Sequence, residues 1–509
     1  MTDPYIAKIL CADVYDVATE TPLTPAPLLS ERLGCDVHLK REDLQPIFSF
    51  KCRGAYNKMV SLSDEQRARG VVAASAGNHA QGVALAAQRL GVDATIVMPI
   101  TTPAIKVDAV KRRGANVVLM GDAFDQASEF ASGLVAERGA TYLHPFDDSE
   151  VIAGQGTVGV EITQQITTPA DYVFIPCGGG GLLSGMAVFL KHAWPGVKVI
   201  GVEPADAACA LAARQKGERV TLDEVGLFAD GCAVARVGAE THRLIEQYVD
   251  DIITATTDEM CAAVKDIFDD TRAIAEPAGA LAIAGMKTYL AANNVGNATV
   301  IAVLSGANTN FDRLRYISER TDIGERREAI LSVTIPEEPG AFRAFCRVIG
   351  KRNITEFNYR SSDETSARVF VGVTVRPQTD DVSELTSRLL DHGYSAVDLT
   401  DNEMAKLHVR HMVGGKTTAC DGIERIFRVE FPERPGALLM FLDALGADFN
   451  ISLFHYRNHG AAYGRILVGV TGIGSNDRRL DNTLDSIGFR YWEETQNPAY
   501  DAYLKPLEL

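Results

Sequence analysis

The chain has 509 residues, of which 46% are hydrophobic, so it is long enough for about three domains with ordinary cores. Its formal net charge of −17 disfavours a general binder of nucleic acid or of anionic membranes, but does not exclude a local basic pocket for a phosphate. The nine cysteines are scattered without metal-ligand spacing, which is typical of reduced thiols in a cytoplasmic protein. No signal peptide is visible at the N-terminus, and the apolar runs are too short to span a bilayer.

The first part of the chain predicts alternating strands and helices. A helix over Tyr5–Val17 and a strand over Val37–Lys40 that ends in charge come first. Short apolar strands then alternate with amphipathic helices, a pattern that indicates βα units on a parallel sheet. The predicted strands are Gly70–Ala74, Ala94–Met98, Ala115–Leu119, Thr141–Leu143, Tyr172–Pro176, Lys198–Glu203 and Thr299–Leu304; the predicted helices are His79–Leu90, Thr102–Arg112 and Phe124–Arg138.

The last part of the chain contains a repeat that follows a charged, partly helical segment at 311–328. Pro339-Gly340-Ala341 recurs as Pro435-Gly436-Ala437, Asn353–Arg360 as Asn450–Arg457, and Arg368–Thr374 as Arg465–Thr471. Three matched blocks in one order indicate two copies of one module. Each copy predicts strand, Pro-Gly loop, helix, strand, strand, helix, strand, which is a ferredoxin-like βαββαβ plan. We therefore expect a domain at 1–320, a connector at 321–328, and modules at 329–412 and 424–509.

The stretch Ser49–Ala55 places Lys51 between a turn-prone segment and a helix-prone one, directly after Phe50. A lysine that is desolvated beside an aromatic ring loses its charge more easily, and the free amine can attack a carbonyl. Most lysines on helices are solvated surface residues, so this stretch alone is a weak signal. It gains weight from the motifs that follow.

Three further motifs lie at predicted strand ends, where parallel sheets bind their ligands. Ser75–Gly82 lies between a strand and a helix start, where Ser75 and Asn78 are good capping residues. Free N–H groups at a helix start attract anions, although a plain capped helix explains this motif equally well. Cys177–Leu182 contains four glycines, whose backbone N–H groups can converge on a phosphate; a flexible turn is the alternative. Ser305 ends the strand Thr299–Leu304, and alone it would be an ordinary turn serine.

In combination, Ser49–Ala55, Ser75–Gly82 and Cys177–Leu182 resemble the motifs of the fold-type II pyridoxal-phosphate enzymes, the tryptophan-synthase-β-like family. Among these, the chain is most similar to the biosynthetic threonine deaminases, and the likeness covers its whole length. The resemblance implies an α/β catalytic domain of two α/β subdomains over 1–320, followed by two ferredoxin-like, ACT-like α+β regulatory modules. It also implies pyridoxal 5′-phosphate as the cofactor.

The resemblance implies a role for each residue of the lysine and Asn78 motifs. Lys51 would hold the cofactor covalently through its amine and, once freed, would act as the base for the α-proton of the substrate. Phe50 would pack near the cofactor, and Asn78 would bond its ring oxygen. The substrate carboxylate would be held by the backbone and side chains of Ser75, Gly77, Asn78 and His79.

The glycine loop and Ser305 would complete the cofactor site. The resemblance places the 5′-phosphate on Gly178, Gly179, Gly180, Gly181 and Leu182. Ser305 would face the pyridine nitrogen, which makes it the second predicted catalytic residue beside Lys51. Because a serine cannot keep that nitrogen protonated as an aspartate would, the ring is a weaker electron sink, and prompt β-elimination is favoured.

Ala76 separates two activities within the family. Relatives that racemise serine carry a second serine at this position, and alanine cannot donate the proton that racemisation needs, so we disfavour racemisation. A serine racemase or another β-replacing enzyme is the alternative with the same cofactor, and Ala76 and the long C-terminal repeat together favour the deaminase. Those relatives also bind a divalent cation near the segment that matches Glu203–Cys209. Because Cys209 stands where their second carboxylate would align, we expect no metal.

The resemblance implies deamination of threonine to 2-oxobutanoate and ammonia, the first step of isoleucine biosynthesis, and slower deamination of serine. It further implies inhibition by isoleucine, opposition by valine, and a homotetramer. Tyr359 and Tyr456 are matched aromatics that could contact effectors, although plain core packing is the simpler explanation for either ring. An amino-acid sensor with an inactive catalytic domain is the alternative from another class, and the intact motifs argue against it.

Overall fold

The computed structural model describes residues 3–336, 341–350, 352, 354–361, 366–375, 382–411, 423–432, 441, 450–457, 463–473 and 478–504. The chain divides into two compact units, Met1–Thr321 and Asp322–Leu509. None of the helices in the described ranges is both long enough and apolar enough to cross a membrane.

The first unit contains alternating strands and helices. Its strands are β1 (Leu23–Pro25), β2 (Asp36–Arg41), β3 (Val71–Ala74), β4 (Ala94–Met98), β5 (Asn116–Leu119), β6 (Thr141–Tyr142), β7 (Tyr172–Pro176), β8 (Lys198–Pro204), β9 (Asp251–Ala255) and β10 (Thr299–Leu304). Its helices are α1 (Pro4–Leu10), α2 (Pro27–Leu33), α3 (Lys51–Val60), α4 (Asp64–Ala68), α5 (Asn78–Leu90), α6 (Ala104–Lys111), α7 (Phe124–Arg138), α8 (Ser149–Gln165), α9 (Gly181–Ala193), α10 (Cys209–Lys216), α11 (Ala239–Tyr248), α12 (Thr257–Thr271), α13 (Pro277–Ala292) and α14 (Arg313–Gly324), which runs on across the division between the units.

These strands form two sheets. A four-stranded sheet has the order β5-β4-β3-β6 and is parallel throughout. A six-stranded sheet has the order β1-β2-β10-β7-β8-β9, and only its edge strand β1 is antiparallel. The central strands β3, β4 and β10 are almost entirely buried, as parallel strands covered on both faces must be. The first unit is therefore the expected pair of α/β subdomains.

The first helix is shorter than its sequence predicts. The expected helix over Tyr5–Val17 ends at Leu10, and the chain then turns. The backbone N–H of Asp13 donates to Asn57 Oδ1 at 2.9 Å, and Val14 packs in a small core with Ile47 and Cys52. These contacts to distant residues outweigh the local helical preference.

The second unit contains two copies of one module. The first consists of β11 (Glu328–Pro336), α15 (Ala341–Ile349), β12 (Ile354–Ser361), β13 (Ser366–Thr374), α16 (Val382–Asp391) and β14 (Ser395–Asp398), followed by α17 (Glu403–Leu407). The second consists of β15 (Ile423–Pro432), β16 (Asn450–Arg457), β17 (Tyr463–Ile473), α18 (Arg479–Ile487) and β18 (Arg490–Glu493), followed by α19 (Pro498–Tyr503). The two antiparallel sheets have equivalent orders, β12-β13-β11-β14 and β16-β17-β15-β18.

The two modules share a hydrophobic core. Ile330 and Phe370 of the first sheet lie in one buried cluster with Ile426 and Leu467 of the second. Residues of α17 and α19 complete it, and the Tyr503 hydroxyl of α19 donates to the Val369 carbonyl at 2.9 Å. The two copies therefore fold as one body.

Candidate active site

Lys51 is placed by the segment that precedes its helix. Ser49 forms an antiparallel bridge with Gly306, and the Phe50 N–H donates to the Ser305 carbonyl at 3.4 Å. The segment is thereby pinned to the carboxyl end of β10, and α3 begins at Lys51 itself. The lysine consequently lies at the edge of the sheet where ligands of parallel sheets bind.

The Lys51 amine is desolvated. Its Nζ donates to the Pro145 carbonyl at 2.9 Å and lies 5.2 Å from the centre of the Phe50 ring. Burial lowers the pKa of Lys51 to about 8, against the opposing influence of Cys232 and Glu276. Cys232 has its own pKa raised to about 12 by burial and is neutral in this range, so we assign the opposing charge to Glu276. About one tenth of Lys51 is therefore a neutral amine at pH 7, far more than for a lysine of ordinary pKa.

The start of α5 is open to an anion. Gly77 is the N-cap residue, and within the described chain no side chain caps this helix. The Ser75 hydroxyl instead accepts from the Gly77 N–H at 3.2 Å, and a Cβ added at Gly77 would meet no described atom within 4 Å. The sequence predicted Ser75 and Asn78 as capping residues, but Asn78 is the first helical residue. The N–H groups of this first turn are thus available for a carboxylate.

His79 is a neutral side chain in this site. Its Nε2 lies 2.9 Å from the Leu143 carbonyl and therefore carries the proton, while Nδ1 has no hydrogen-bond partner among the residues described. Burial, followed by the nearby charge of Lys51, lowers the pKa of His79 to about 3. A neutral ring with a bare Nδ1 cannot donate to a carboxylate. We therefore expect the backbone N–H of His79, and not its ring, to bind the substrate carboxylate.

Asn78 belongs to a polar chain that includes two residues the sequence did not reveal. Its Nδ2 donates to Glu276 Oε1 at 2.6 Å, and its Oδ1 accepts from Asn308 Nδ2 at 2.7 Å. Burial, with a smaller contribution from Asp230, raises the pKa of Glu276 to about 7. The orientation of the Asn78 amide is therefore fixed from both sides.

The four glycines form a close-packed turn before α9. A Cβ at Gly178 would lie 2.9 Å from Cys232 Cα, and one at Gly179 would lie 2.2 Å from the Phe146 ring. Gly180 has φ +93°, which favours glycine, and is the N-cap of α9, which no described side chain caps. Leu182 packs its side chain into the core, so only its backbone faces the turn. The loop therefore presents backbone N–H groups at a helix start, which suits a phosphate.

Ser305 is buried at the end of β10. Its hydroxyl donates to the Ala278 carbonyl at 3.3 Å, which leaves its oxygen lone pairs as acceptors. A hydroxyl oriented in this way could accept a hydrogen bond from a ring nitrogen but could not supply a charge.

The comparisons with known proteins agree with this geometry. Residues 14–306 match the family of pyridoxal-phosphate dependent enzymes, and residues 319–409 and 416–504 each match the C-terminal regulatory domain of threonine dehydratase. The biosynthetic L-threonine dehydratase of Burkholderia multivorans is 52% identical over 504 residues, covering 98% of this chain and 99% of that protein. The enzyme of the same description from Escherichia coli K12 is 52% identical over 500 residues, covering 98% and 97%. This chain belongs to the threonine dehydratase family.

Solved structures support the same assignment for the first unit. The processed form of threonine deaminase isoform 2 from Solanum lycopersicum is 49% identical, has a TM-score of 0.61, and covers 62% of this chain and 92% of that one. Serine racemase from Dictyostelium discoideum is 30% identical with a TM-score of 0.56, covering 60% and 99%. The fold is therefore that of the fold-type II pyridoxal-phosphate enzymes, as the sequence predicted.

Pyridoxal phosphate is the cofactor of this threonine dehydratase family member, and the residues fit it. A desolvated amine, a glycine turn that admits no side chains, and two helix starts that no described side chain caps lie at the carboxyl ends of β10, β7 and β3, and we call this region the cleft. The Pro145 carbonyl contacts Lys51, and the next residue, Phe146, packs beneath the glycine turn, so the amine and the turn are held by one segment. Lys51 would bind the aldehyde, and the N–H groups of the turn would bind the phosphate.

The sequence missed the segment Leu143–Asp147, which connects the predicted motifs. Leu143 contacts His79, Pro145 contacts Lys51, and Phe146 packs on the glycines. The signal that could have found it is its position directly after the parallel strand β6.

Glu203 serves the fold in the region where relatives were expected to bind a cation. Its carboxylate accepts from the Ala210 and Leu211 N–H groups, both at 2.8 Å, at the start of α10. Burial raises its pKa to about 7. The described residues include no group of three or more His, Cys, Asp or Glu side chains that could hold a metal ion.

The predicted effector residues lie on equivalent strands. Tyr359 on β12 pairs with Val369, and Tyr456 on β16 pairs with Ile466. Their side chains lie outside the described residues, as do Pro339-Gly340 and Pro435-Gly436. A role for these tyrosines in effector binding stays a prediction.

Proposed function

We propose that the first unit converts L-threonine to 2-oxobutanoate and ammonia, and acts more slowly on L-serine. The observation that carries this proposal is the amine of Lys51, whose pKa is lowered to about 8 and which is held by the same segment as the glycine turn. The membership of the chain in the threonine dehydratase family supports the choice of substrate.

Different residues carry out different parts of this reaction. The cofactor, when bound, supplies an electron sink for the bond that breaks at the α-carbon. The open start of α5 orients the substrate carboxylate, and the Asn78 amide, fixed by Glu276 and Asn308, holds a ring oxygen in place. The Pro145 carbonyl accepts a hydrogen bond from the Lys51 amine, which leaves the lone pair of Nζ free to take the α-proton. Loss of that proton permits the β-hydroxyl to leave. The departing hydroxide and the proton taken up by Lys51 together account for one water, and a second water that hydrolyses the released 2-imino acid gives 2-oxobutanoate and ammonia.

A product assay tests the reaction against its nearest competitor. Incubation with L-threonine should give 2-oxobutanoate, and incubation with L-serine should give pyruvate with little D-serine, because Ala76 cannot reprotonate the opposite face. Introduction of the hydroxyl with Ala76→Ser should raise the D-serine fraction. A wild-type protein that forms mainly D-serine would refute the lyase proposal in favour of a racemase.

The second unit is the regulatory region of this family, and we assign isoleucine as its inhibitor and valine as the opposing effector. We further assign a homotetramer in the cytoplasm and a place at the first step of isoleucine synthesis from threonine. The two matched modules that share one core support a binding function for amino acids, and the free thiols of the described cysteines fit a reducing compartment.

Truncation tests the regulatory assignment. A chain that ends after Glu325 should retain turnover but lose inhibition by isoleucine, because it lacks both modules. Sedimentation of the full chain at several concentrations should give a tetramer. If the truncated protein is inhibited as strongly as the full chain, the effector site lies in the first unit.

A further inference from the structure

The glycine turn is held by hydrogen bonds from the start of α11. Thr241 is fully buried, and its Oγ1 donates to the Gly179 carbonyl at 2.7 Å. The Gly238 N–H donates to the same carbonyl at 3.3 Å. Two donors from one helix start therefore point the Gly179 carbonyl toward α11.

A peptide group transmits this constraint to the next residue. The peptide unit between Gly179 and Gly180 is planar and trans, so its carbonyl and its N–H point in opposite directions. With the Gly179 carbonyl fixed toward α11, the Gly180 N–H must point away from it. Gly180 has φ +93° and is the N-cap residue of α9, whose start no described side chain caps. Its N–H therefore points away from α11, and it is one of the backbone N–H groups of the turn that would bind the phosphate.

The start of α11 is itself fixed by the segment that holds Lys51. Asp147 Oδ2 accepts from the Ala239 N–H at 2.7 Å, and Oδ1 accepts from the Glu240 N–H at 2.9 Å. Gly180 and Thr241 are closely packed, because a Cβ added at Gly180 would lie 2.9 Å from Thr241 Cβ. The residue before Asp147, Phe146, packs on Gly179 and Gly181.

We propose that Thr241 is a positioning residue for the cofactor phosphate, because its hydroxyl fixes the peptide that directs the Gly180 N–H into the glycine turn. The role rests on the cofactor assignment but not on the reaction proposed above. The Thr241 hydroxyl should affect only the affinity of the protein for the phosphate group. The aldehyde, at the other end of the cofactor, is bound by Lys51.

The experiment compares two ligands that differ only in the phosphate. The full chain is stripped of cofactor and titrated with pyridoxal 5′-phosphate and, separately, with pyridoxal, and the absorbance of the lysine-bound aldehyde reports binding. Thr241→Val removes the hydroxyl and keeps the shape. It should weaken pyridoxal 5′-phosphate about tenfold, the worth of one buried hydrogen bond, and leave pyridoxal within about twofold.

Two further variants make the comparison specific. Thr241→Ser restores the hydroxyl and should recover most of the affinity for pyridoxal 5′-phosphate. Thr157 offers a matched control, since its buried hydroxyl also donates to a glycine carbonyl, that of Gly154, at 2.6 Å. Thr157→Val should leave the ratio of the two dissociation constants unchanged. If Thr241→Val does not fold, Thr241→Ala is compared with Thr241→Ser in the same way.

Three results would overturn the proposal: equal weakening of both ligands in Thr241→Val, no weakening of either, or a serine variant as weak as the valine variant. No substrate is present in these titrations, so they do not depend on which reaction the protein catalyses. A normal ratio of affinities in a protein that fails to deaminate threonine would count against the proposed function only.

Discussion

Two desolvated lysines of the first unit, the fully buried Lys40 and the half-buried Lys51, have opposite surroundings. Lys40 lies in a buried ion cluster that consists of Lys40, Glu42, Arg53 and Glu161, whose side chains are fully buried. Lys51 lies in the cleft, and among the described side chains no carboxylate is within salt-bridge distance of its amine. Arg53 of the cluster is only two residues beyond Lys51 on α3.

The comparison shows that partners, more than the degree of burial, decide what a desolvated lysine does: the more deeply buried Lys40 is the one that keeps its charge. Lys40 Nζ donates to Glu161 Oε2 at 2.6 Å, to Gln165 Oε1 at 3.0 Å and to the Thr21 carbonyl at 2.5 Å. Burial lowers the pKa of Lys40, but Glu161 and Glu42 oppose that change. Lys51 has one neutral acceptor in Pro145, and burial lowers its pKa to about 8. The first amine is held as an ammonium, and the second is prepared as a nucleophile and base.

The largest expected effect is the loss of turnover when Lys51 is replaced. Lys51→Ala should lower turnover by roughly 10⁴-fold or more, because both the covalent hold on the cofactor and the base for the α-proton are lost. The absorption band of the lysine-bound cofactor should disappear, and borohydride should label no lysine in the variant. Lys58→Ala, which removes a lysine paired with Asp148 further along α3, is the control and should keep the band. A coloured, active Lys51→Ala protein would contradict the site.

The ion cluster should matter to folding instead. Glu161 accepts from Arg53 Nη1 at 2.6 Å as well as from Lys40, so Glu161→Gln leaves two buried cations with too little negative charge. The free energy of unfolding of the first unit should fall by about 3–5 kcal/mol, as measured by denaturant titration. Glu246→Gln, which breaks the more exposed pair with Arg214, should cost less than about 1 kcal/mol. An equal loss of unfolding free energy in the two variants would mean that the buried ion cluster contributes no more to stability than a surface ion pair.

The sequence indicated the cleft better than it indicated the cluster. Strands such as Ala94–Met98 and Thr299–Leu304 were predicted to the residue because short apolar runs bounded by polar residues leave few alternatives. Lys40 was read only as the charged end of a strand, although it is fully buried, because its partner Glu161 is remote in the chain.

The other site residues that the sequence did not reveal make contacts between segments that are distant in the chain. Glu276 bonds Asn78 from 198 residues away, and nothing near either residue signals the pairing. The motif glycines could be recognised because a local turn and a helix start are encoded locally. The support from Thr241, 62 residues beyond Gly179, could not. Local chemistry is therefore readable from sequence, whereas the groups that orient it emerge only when the sheets are assembled.

The pH dependence of cofactor capture should sharpen the contrast between the lysines. The neutral amine attacks the aldehyde, and the pKa of Lys51 is lowered, so the capture rate should rise through a midpoint near pH 8 rather than near the ordinary value of 10.5. Glu276, with a pKa of about 7, is ionised there and favours the ammonium.

Glu276→Gln removes that charge, so the midpoint should move to lower pH and capture at pH 7 should speed up roughly twofold or more. Stopped-flow absorbance across pH 6–10 measures both values. Glu218→Gln, which is exposed, should leave the midpoint in place. A midpoint that rises in Glu276→Gln would mean that another group sets the charge on Lys51.

The smallest expected effect concerns an ion pair between the two sheet subdomains. Lys106 of α6, beside the four-stranded sheet, bonds Asp230 Oδ2 at 2.5 Å, and Asp230 belongs to the loop between β8 and β9 of the six-stranded sheet. Asp230 is also 3.7 Å from Arg313, and these two cations lower its pKa to about 2 although burial opposes them.

Unlike the cluster around Arg53, this pair is partly exposed, so it should tune the closing of the cleft without deciding the fold. Lys106→Met should raise KM for threonine about two- to fivefold and leave kcat nearly unchanged, because an exposed pair contributes about 0.5–1 kcal/mol to bringing the subdomains together. Lys111→Met on the same helix is the control. A fall in kcat with KM unchanged would place Lys106 in the chemical step rather than in closure.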